Sequence, residues 1–322
     1  MPPSLTDVTG ILVGHATDES GGTGCTVVLA PESGMPCTAF VRGRATGTRE
    51  IDACRPESLA GRVDAIVLTG GSAYGLAAAD GVARWLEAHQ RGLSVGPGVV
   101  PIVPAAVIFD LLPLGRFDAR PTPQMGGTAC ETASKVVAEG SVGAGAGATV
   151  GKALGPTSAM KGGVGTWSVR YGEVVVGAIA VVNAFGDVTD SAGKIIAGAR
   201  SDDGGFVGTA AYLAKGGLTR GALSPPHRIS HHNTTLVVVA TNASLNRLAL
   251  RGVAQAAVDG MARRIMPVGS AFDGDIVFAC SAGTVQALPI QVEQMAREAT
   301  ETAVERGVRL AKGRDGVPGL SD

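Results

Sequence analysis

A layered α/β fold is predicted by three features of this chain. First, 48 of its 322 residues are glycine, yet they follow no G-X-Y period and are interleaved with Val, Ile and Ala. That excludes a collagen-like rod and argues against disorder. Second, only 4% of the residues are aromatic, so small and branched side chains must fill the interior and let sheets and helices approach closely. Third, the last part of the chain alternates short Val- and Ile-rich runs with longer segments of helical composition, the pattern of a sheet covered by helices. At 45% hydrophobic and 17% charged residues, the chain can bury one large core or two ordinary ones.

From the N-terminus, residues 11–30 (ILVGHATDESGGTGCTVVLA) read as two short strands joined by a glycine-rich turn. The apolar run 63–69 (VDAIVLT) fits a buried strand and leads through Gly70, Gly71 and Ser72 into a helical segment that ends near Arg91-Gly92. A helix starting near Ser72 would aim backbone N–H groups at whatever lies above the turn. Residues 99–112 (VVPIVPAAVIFDLL) predict a buried, irregular, proline-punctuated strand, and 127–139 a helix. The densest glycine stretch follows, GSVGAGAGATVGKALGPTSAMKGGVGT. Residues 167–190 predict a hairpin turning near Tyr171-Gly172-Glu173, and 201–232 a polar loop. Strands at 234–240 and 275–281 and helices over about 244–265 and 289–311 complete the order. With no repeat and no linker, one domain is expected, with a flexible crossover at about 201–233.

Several functions are disfavoured. A formal net charge of −1 and a pI near 6.5 offer nothing to nucleic acid or an anionic membrane. The N-terminus lacks a signal-peptide pattern, and no apolar run approaches the roughly 18 residues of a membrane span. A cytoplasmic protein is expected, with Cys25, Cys37, Cys54, Cys130 and Cys280 as buried reduced thiols. His15, His89, His227, His231 and His232 show no ligand spacing, so no metal is expected, and no organic cofactor is called for. The loop GAGAGATVGKALG is not a phosphate loop, because Ala146 and Ala153 occupy two required positions. It is either a backbone-packing loop or one that delivers Lys152 to a site. Gly70-Gly71-Ser72-Ala73-Tyr74 is like a nucleophile elbow except at its fifth position, and Ser72 reads as a helix cap. Asp273-Gly274-Asp275 is either a turn or a pair of acids that orient a hydroxyl or an ammonium.

The stretch HHNTTLVVV places Thr234 at the start of a buried strand. In a continuous chain such a residue is unremarkable. If the bond between Asn233 and Thr234 breaks, its hydroxyl becomes a nucleophile with the freed α-amine as base, since that amine has a pKa of roughly 7.7–8.0. The same hydroxyl can release itself by attacking the preceding carbonyl.

The sequence resembles the L-aminopeptidase/D-esterase (DmpA-type) family of N-terminal-nucleophile hydrolases, which includes β-aminopeptidases and nylon-oligomer hydrolases. The resemblance spans nearly the whole chain through ILVGHATD with GGTGCTVVL, LTGGSAYGL, PIVPAAVIFDL, GAGAGATVGK, AVVNAFGDV, NTTLVVVATNA and FDGDIVFA, in that order. It implies a four-layer αββα sandwich. It also implies self-cleavage after Asn233 into an α chain of 1–233 and a β chain of 234–322, with Thr234 as nucleophile. Asp273 and Asp275, 39 and 41 residues downstream, would position Thr234; Asn183 would be the oxyanion donor, with Lys152 beside the nucleophile. Asn183 as a turn former and Lys152 as a surface charge stand as alternatives. Gly70, Gly71, Tyr74 and Phe109 would line the substrate site. The best-known members carry Tyr where Phe109 stands, so the donor that a Tyr hydroxyl supplies must come from Tyr74 or a backbone N–H. Small peptide, aminoacyl amide or polyamide substrates and a homotetramer of αβ units are implied. Two other readings stay open: an uncleaved esterase using Ser72, and a non-catalytic glycine-rich binding or scaffold protein.

Overall fold

The computed structural model describes residues 2–217 and 233–322. In the strand Thr234–Ala243, every residue from Thr234 to Thr241 is buried. Leu236, Val238 and Ala240 join one apolar cluster and Val237 and Val239 another on the opposite face, as the two-residue alternation of a strand requires. A strand apolar on both sides needs a cover on each. Its sheet has the order Val164–Tyr171, Val174–Asn183, Thr234–Ala243, Ile276–Val285, Cys37–Val41.

One face of that sheet packs on helices Arg247–Ala262 and Pro289–Arg309 through Val237, Val277, Leu250, Val253 and Val292. The other packs on a second five-stranded sheet through Ile179, Leu236 and Phe278 against Val28, Ile66 and Leu68. That second sheet runs Leu12–Asp18, Thr23–Leu29, Ala65–Thr69, Ala105–Val107, Thr48–Arg49. Its outer face is covered by helices Ala78–Ala88 and Pro123–Glu131 through Val27, Val67, Val82, Leu86 and Ala129. The layers are therefore helix, sheet, sheet, helix, the αββα sandwich that the resemblance implies. Burying a Val or Leu side chain contributes roughly 1.5–3 kcal/mol, so three largely aliphatic interlayer clusters do most of the work that aromatic residues do in other cores.

Local signals account for several boundaries. Asn246 caps its helix by accepting the Ala249 N–H at 2.9 Å. The helix expected over 127–139 instead runs Pro123–Glu131, because Thr122 caps it and Pro123 suits its first turn. The chain then turns so that Ser134 pairs with Val13. Of the strand expected over 99–112, only Ala105–Val107 enters the sheet, while Val99–Val100 pairs with Leu93–Ser94; Pro101 and Pro104 offer no N–H to a ladder. The polar loop expected at 201–232 contains a short helix, Thr209–Ala214, and its remainder from 218, with His227, His231 and His232, lies outside the described residues. Ser72 is not a side-chain cap. It has φ +52°, opens a 3-10 turn, and makes no capping hydrogen bond. All five cysteines are buried and none forms a disulfide. Among the described residues, no helix is long and apolar enough to cross a membrane, and no cluster of three or more His, Cys, Asp or Glu is placed to hold a metal.

Candidate active site

Sheet register assembles the site around Asn233 and Thr234. The strands Thr234–Ala243 and Ile276–Val285 are parallel with Leu236 beside Ile276, and that pairing extends as a bridge between Asn233 and Asp273. On the other side, Thr234 lies opposite Asn183 in an antiparallel pair. The bond between residues 233 and 234 is thus held at one end of a central strand, with Asn183 on one flank and Asp273-Gly274-Asp275 on the other.

The carbonyl oxygen of Asn233 accepts the Gly274 N–H at 2.8 Å and the Thr234 hydroxyl at 2.5 Å. Two donors on one carbonyl oxygen draw electron density from its carbon and make it more electrophilic. A side chain at Gly274 would put a Cβ 2.6 Å from Thr234 Oγ1 and 2.4 Å from the Ala45 carbonyl oxygen, so only glycine admits this approach. Asn233 Nδ2 donates to the Phe272 carbonyl at 3.3 Å, and its Oδ1 is buried without a hydrogen-bond donor among the described residues.

Both flanking acids are buried. Asp273 accepts the Ser270 hydroxyl at 2.5 Å, the Ser270 N–H at 2.8 Å and the Phe185 N–H at 3.3 Å. Asp275 accepts N–H groups of Thr235 at 2.7 Å and Gly269 at 2.9 Å. Burial pushes both carboxyls above the usual range, and the neighbouring charge of Asp273 raises Asp275 further. Asp273-Gly274-Asp275 is therefore a buried acid pair wrapped around the Asn233–Thr234 segment rather than a plain surface turn.

Asn183 ends its strand fully buried. Its Oδ1 accepts the Lys152 ammonium at 2.8 Å and the Thr149 N–H at 3.1 Å, while its Nδ2 donates to the Phe109 carbonyl at 3.4 Å. Lys152 is half-buried with its amine turned inward, so it is no surface charge. Loss of water lowers its pKa to about 7, against the opposing pull of the Asp273 and Asp110 carboxylates.

The second sheet supplies the facing wall. Gly71, in a left-handed conformation, donates its N–H to Asp110 at 2.6 Å, and Ser72 donates its N–H to the Ile108 carbonyl at 3.0 Å. Gly70 lies against the same Asp110 carboxylate. Phe109 reaches Asn183 through its backbone. Tyr74 stands apart on an exposed rim, with the Arg120 guanidinium 3.6 Å above its ring. Thr234, Asn233, Asn183, Lys152, Asp273 and Asp275 come together; Tyr74 is not brought to them by any described contact. No base pairs with Ser72 among the described residues. His15, at the far end of the glycine-rich loop, bonds Thr26 at 2.9 Å, and burial lowers its pKa to about 4.

Sequence reasoning missed Asp110, Lys161, Thr149 and the Gly274 N–H. Asp110 adjoins Phe109 in the IFDL stretch, and Lys161 is a lone charge in the small-residue run AMKGGVG. An isolated charge among apolar and glycine neighbours is the signal that singles each out.

The family model described as peptidase family S58 matches residues 3–318. An uncharacterized aminopeptidase of Mycobacterium tuberculosis is 44% identical over 321 residues, covering 96% of this chain and 89% of the relative. A 6-aminohexanoate-oligomer endohydrolase of Kocuria sp. is 31% identical, covering 85% of this chain and 73% of the relative. The solved L-aminopeptidase D-Ala-esterase/amidase from Ochrobactrum anthropi, described as a variant of the Ntn-hydrolase fold, superposes with a TM-score of 0.70 at 20% identity. It covers 98% of this chain and 89% of that one.

Proposed function

The chain belongs to peptidase family S58 and is a hydrolase of the aminopeptidase and amidohydrolase kind; from that premise we propose that it processes itself before Thr234 and then uses Thr234 as its nucleophile. In the first stage, Thr234 Oγ1 forms a bond to the Asn233 carbonyl carbon while the C–N bond breaks. The hydroxyl proton passes to the departing amine, and water hydrolyses the resulting ester. The products are residues 1–233 and 234–322, the latter with a free α-amine.

In the second stage, that amine serves as the base, with a pKa of roughly 7.7–8.0. Thr234 Oγ1 attacks an amide carbonyl, the amine product leaves, and water releases the acyl group. Asn183 Nδ2 and backbone N–H groups hold the oxyanion. Lys152 orients Asn183, and Asp273 with Asp275 positions the segment around Thr234. Substrates are amide, and by extension ester, bonds of small peptides, aminoacyl amides or polyamide oligomers. A tetramer of cleaved αβ units in the cytoplasm belongs to the same proposal.

The observation that carries this reading is the Asn233 carbonyl oxygen bonded at once by Gly274 N–H and by the hydroxyl of Thr234. Mass spectrometry of purified wild type should give fragments of 233 and 89 residues, with Thr234 as a new N-terminus. Thr234→Ala should stay full length and inert on aminoacyl p-nitroanilides. A wild type that remains one chain under all conditions sinks the proposal.

A further inference from the structure

Asp110 and Lys161 are wholly buried, and neither has a part in the acyl-transfer steps above. The Asp110 carboxylate accepts the Thr23 hydroxyl at 2.7 Å and the Gly71 N–H at 2.6 Å. The Lys161 amine donates to three backbone carbonyls, of Gly145 at 3.0 Å, Ala148 at 2.9 Å and Gly162 at 3.0 Å. A buried charge without such partners is strongly destabilising, so each is tied to the groups it touches. Both also lie against one loop, Asp110 by packing and Lys161 by hydrogen bonds. A Cβ at Gly147 would stand 2.6 Å from Asp110 Cβ and 2.9 Å from its Oδ2, while Lys161 grips the carbonyls of Gly145 and Ala148 to either side. The next residue, Thr149, gives its N–H to Asn183 Oδ1, and Lys152 gives its ammonium to the same atom. With two donors fixed on oxygen, the Asn183 amide has one orientation, Nδ2 turned away from the loop.

We propose that Asp110 and Lys161 are positioning residues: they clasp the glycine-rich loop from two sides so that Thr149 and Lys152 fix which end of the Asn183 amide faces the reacting carbonyl. The inference rests on the reading of Asn183 as an oxyanion donor.

The clasp also governs the charge on Lys152. Among the described residues, the charged groups that face Lys152 are Asp273, Asp110 and Lys161; Lys161 in turn faces Asp110 and Arg314. The Asp110 carboxylate favours protonated Lys152, and the Lys161 ammonium disfavours it. Deleting one or the other therefore moves the Lys152 titration in opposite directions.

The test is the pH dependence of kcat and KM of processed enzyme on an aminoacyl p-nitroanilide. In Lys161→Met, the limb that reports Lys152 should move to higher pH, and in Asp110→Asn to lower pH. Each should lose about 10²-fold in kcat, with KM little changed. Thr23→Val keeps the shape but removes one donor from Asp110, so it should shift the limb in the Asp110→Asn direction by less. It decides the matter if Asp110→Asn does not fold. Lys161→Arg keeps the cation and should hold the limb near its wild-type position. Limbs unmoved in both Thr23→Val and Lys161→Met, with only thermal stability lowered, overturn the proposal. Should Thr234→Ala prove as active as wild type, it is the underlying reading of the site that fails.

Discussion

The sheet that carries Thr234 has three adjacent strands of 10 residues each, Val174–Asn183, Thr234–Ala243 and Ile276–Val285. The sheet facing it is built from strands of 7, 7, 5, 3 and 2 residues, and at the same end it gives way to turns held by the Asp110 carboxylate. In the first sheet, spacing between the candidate-site residues is inherited from a ladder: register alone puts Asn183 and Asp273 on the two flanks of the Asn233–Thr234 segment. In the second, geometry depends on individual side chains. A ladder fixes distances collectively and tolerates loss of one contact, whereas a turn pinned by one carboxylate does not.

Substitutions can break or sharpen that contrast. The largest effect is expected from Gly274→Ala, just before the strand Ile276–Val285 of the long-stranded sheet. Its Cβ would meet Thr234 Oγ1 and Ala45 and displace the N–H donor, so the rate of fragment formation on a denaturing gel should fall about 10²–10³-fold. Next come Leu236→Ala and Leu68→Ala, which open cavities in the same intersheet cluster. Each should cost about 2–5 kcal/mol in denaturant unfolding, yet only Leu236→Ala, two residues from Thr234 on its own strand, should also slow processing. Equal slowing by both would show that the ladder has no special role.

A smaller effect concerns pH. Lys161 has a folded pKa of about 7 against the ordinary 10.5, through burial. Between those values the unfolded chain holds a proton that the folded chain has released, so its contribution to stability rises as pH climbs from about 7 towards 10.5. The melting temperature of wild type minus that of Lys161→Met should therefore increase over this window; a flat difference contradicts the assignment. The smallest effect is expected from Phe109→Tyr. Phe109 meets Asn183 through its carbonyl, so the new hydroxyl should alter relative kcat/KM among aminoacyl amides by about tenfold or less without changing processing.

The same contrast explains what the sequence disclosed. The strands of the long sheet are continuous apolar runs, and its two long helices carry clear caps or periodicity, so their positions can be read from residue order. Thr234 stands out because a polar residue begins such a run. The short-stranded sheet is harder to read. Ala105–Val107 is hidden among prolines, and the helix at Pro123–Glu131 is announced only by Thr122-Pro123. Asp110 and Lys161 carry no spacing motif, since their partners are backbone groups and a hydroxyl, most of them on other segments of the chain. The Gly274 donor is backbone and leaves no side-chain mark at all.

In the sheet order, Thr234–Ala243 and Ile276–Val285 lie between Val174–Asn183 on one side and Cys37–Val41 on the other. A break before Thr234 would thus leave the C-terminal piece interleaved with the N-terminal piece rather than docked on its rim. Two seams of backbone hydrogen bonds, each roofed by an apolar cluster, would have to open together before the pieces could part. Such a nicked molecule should travel as one particle through dilution and gel filtration and come apart only when it is denatured.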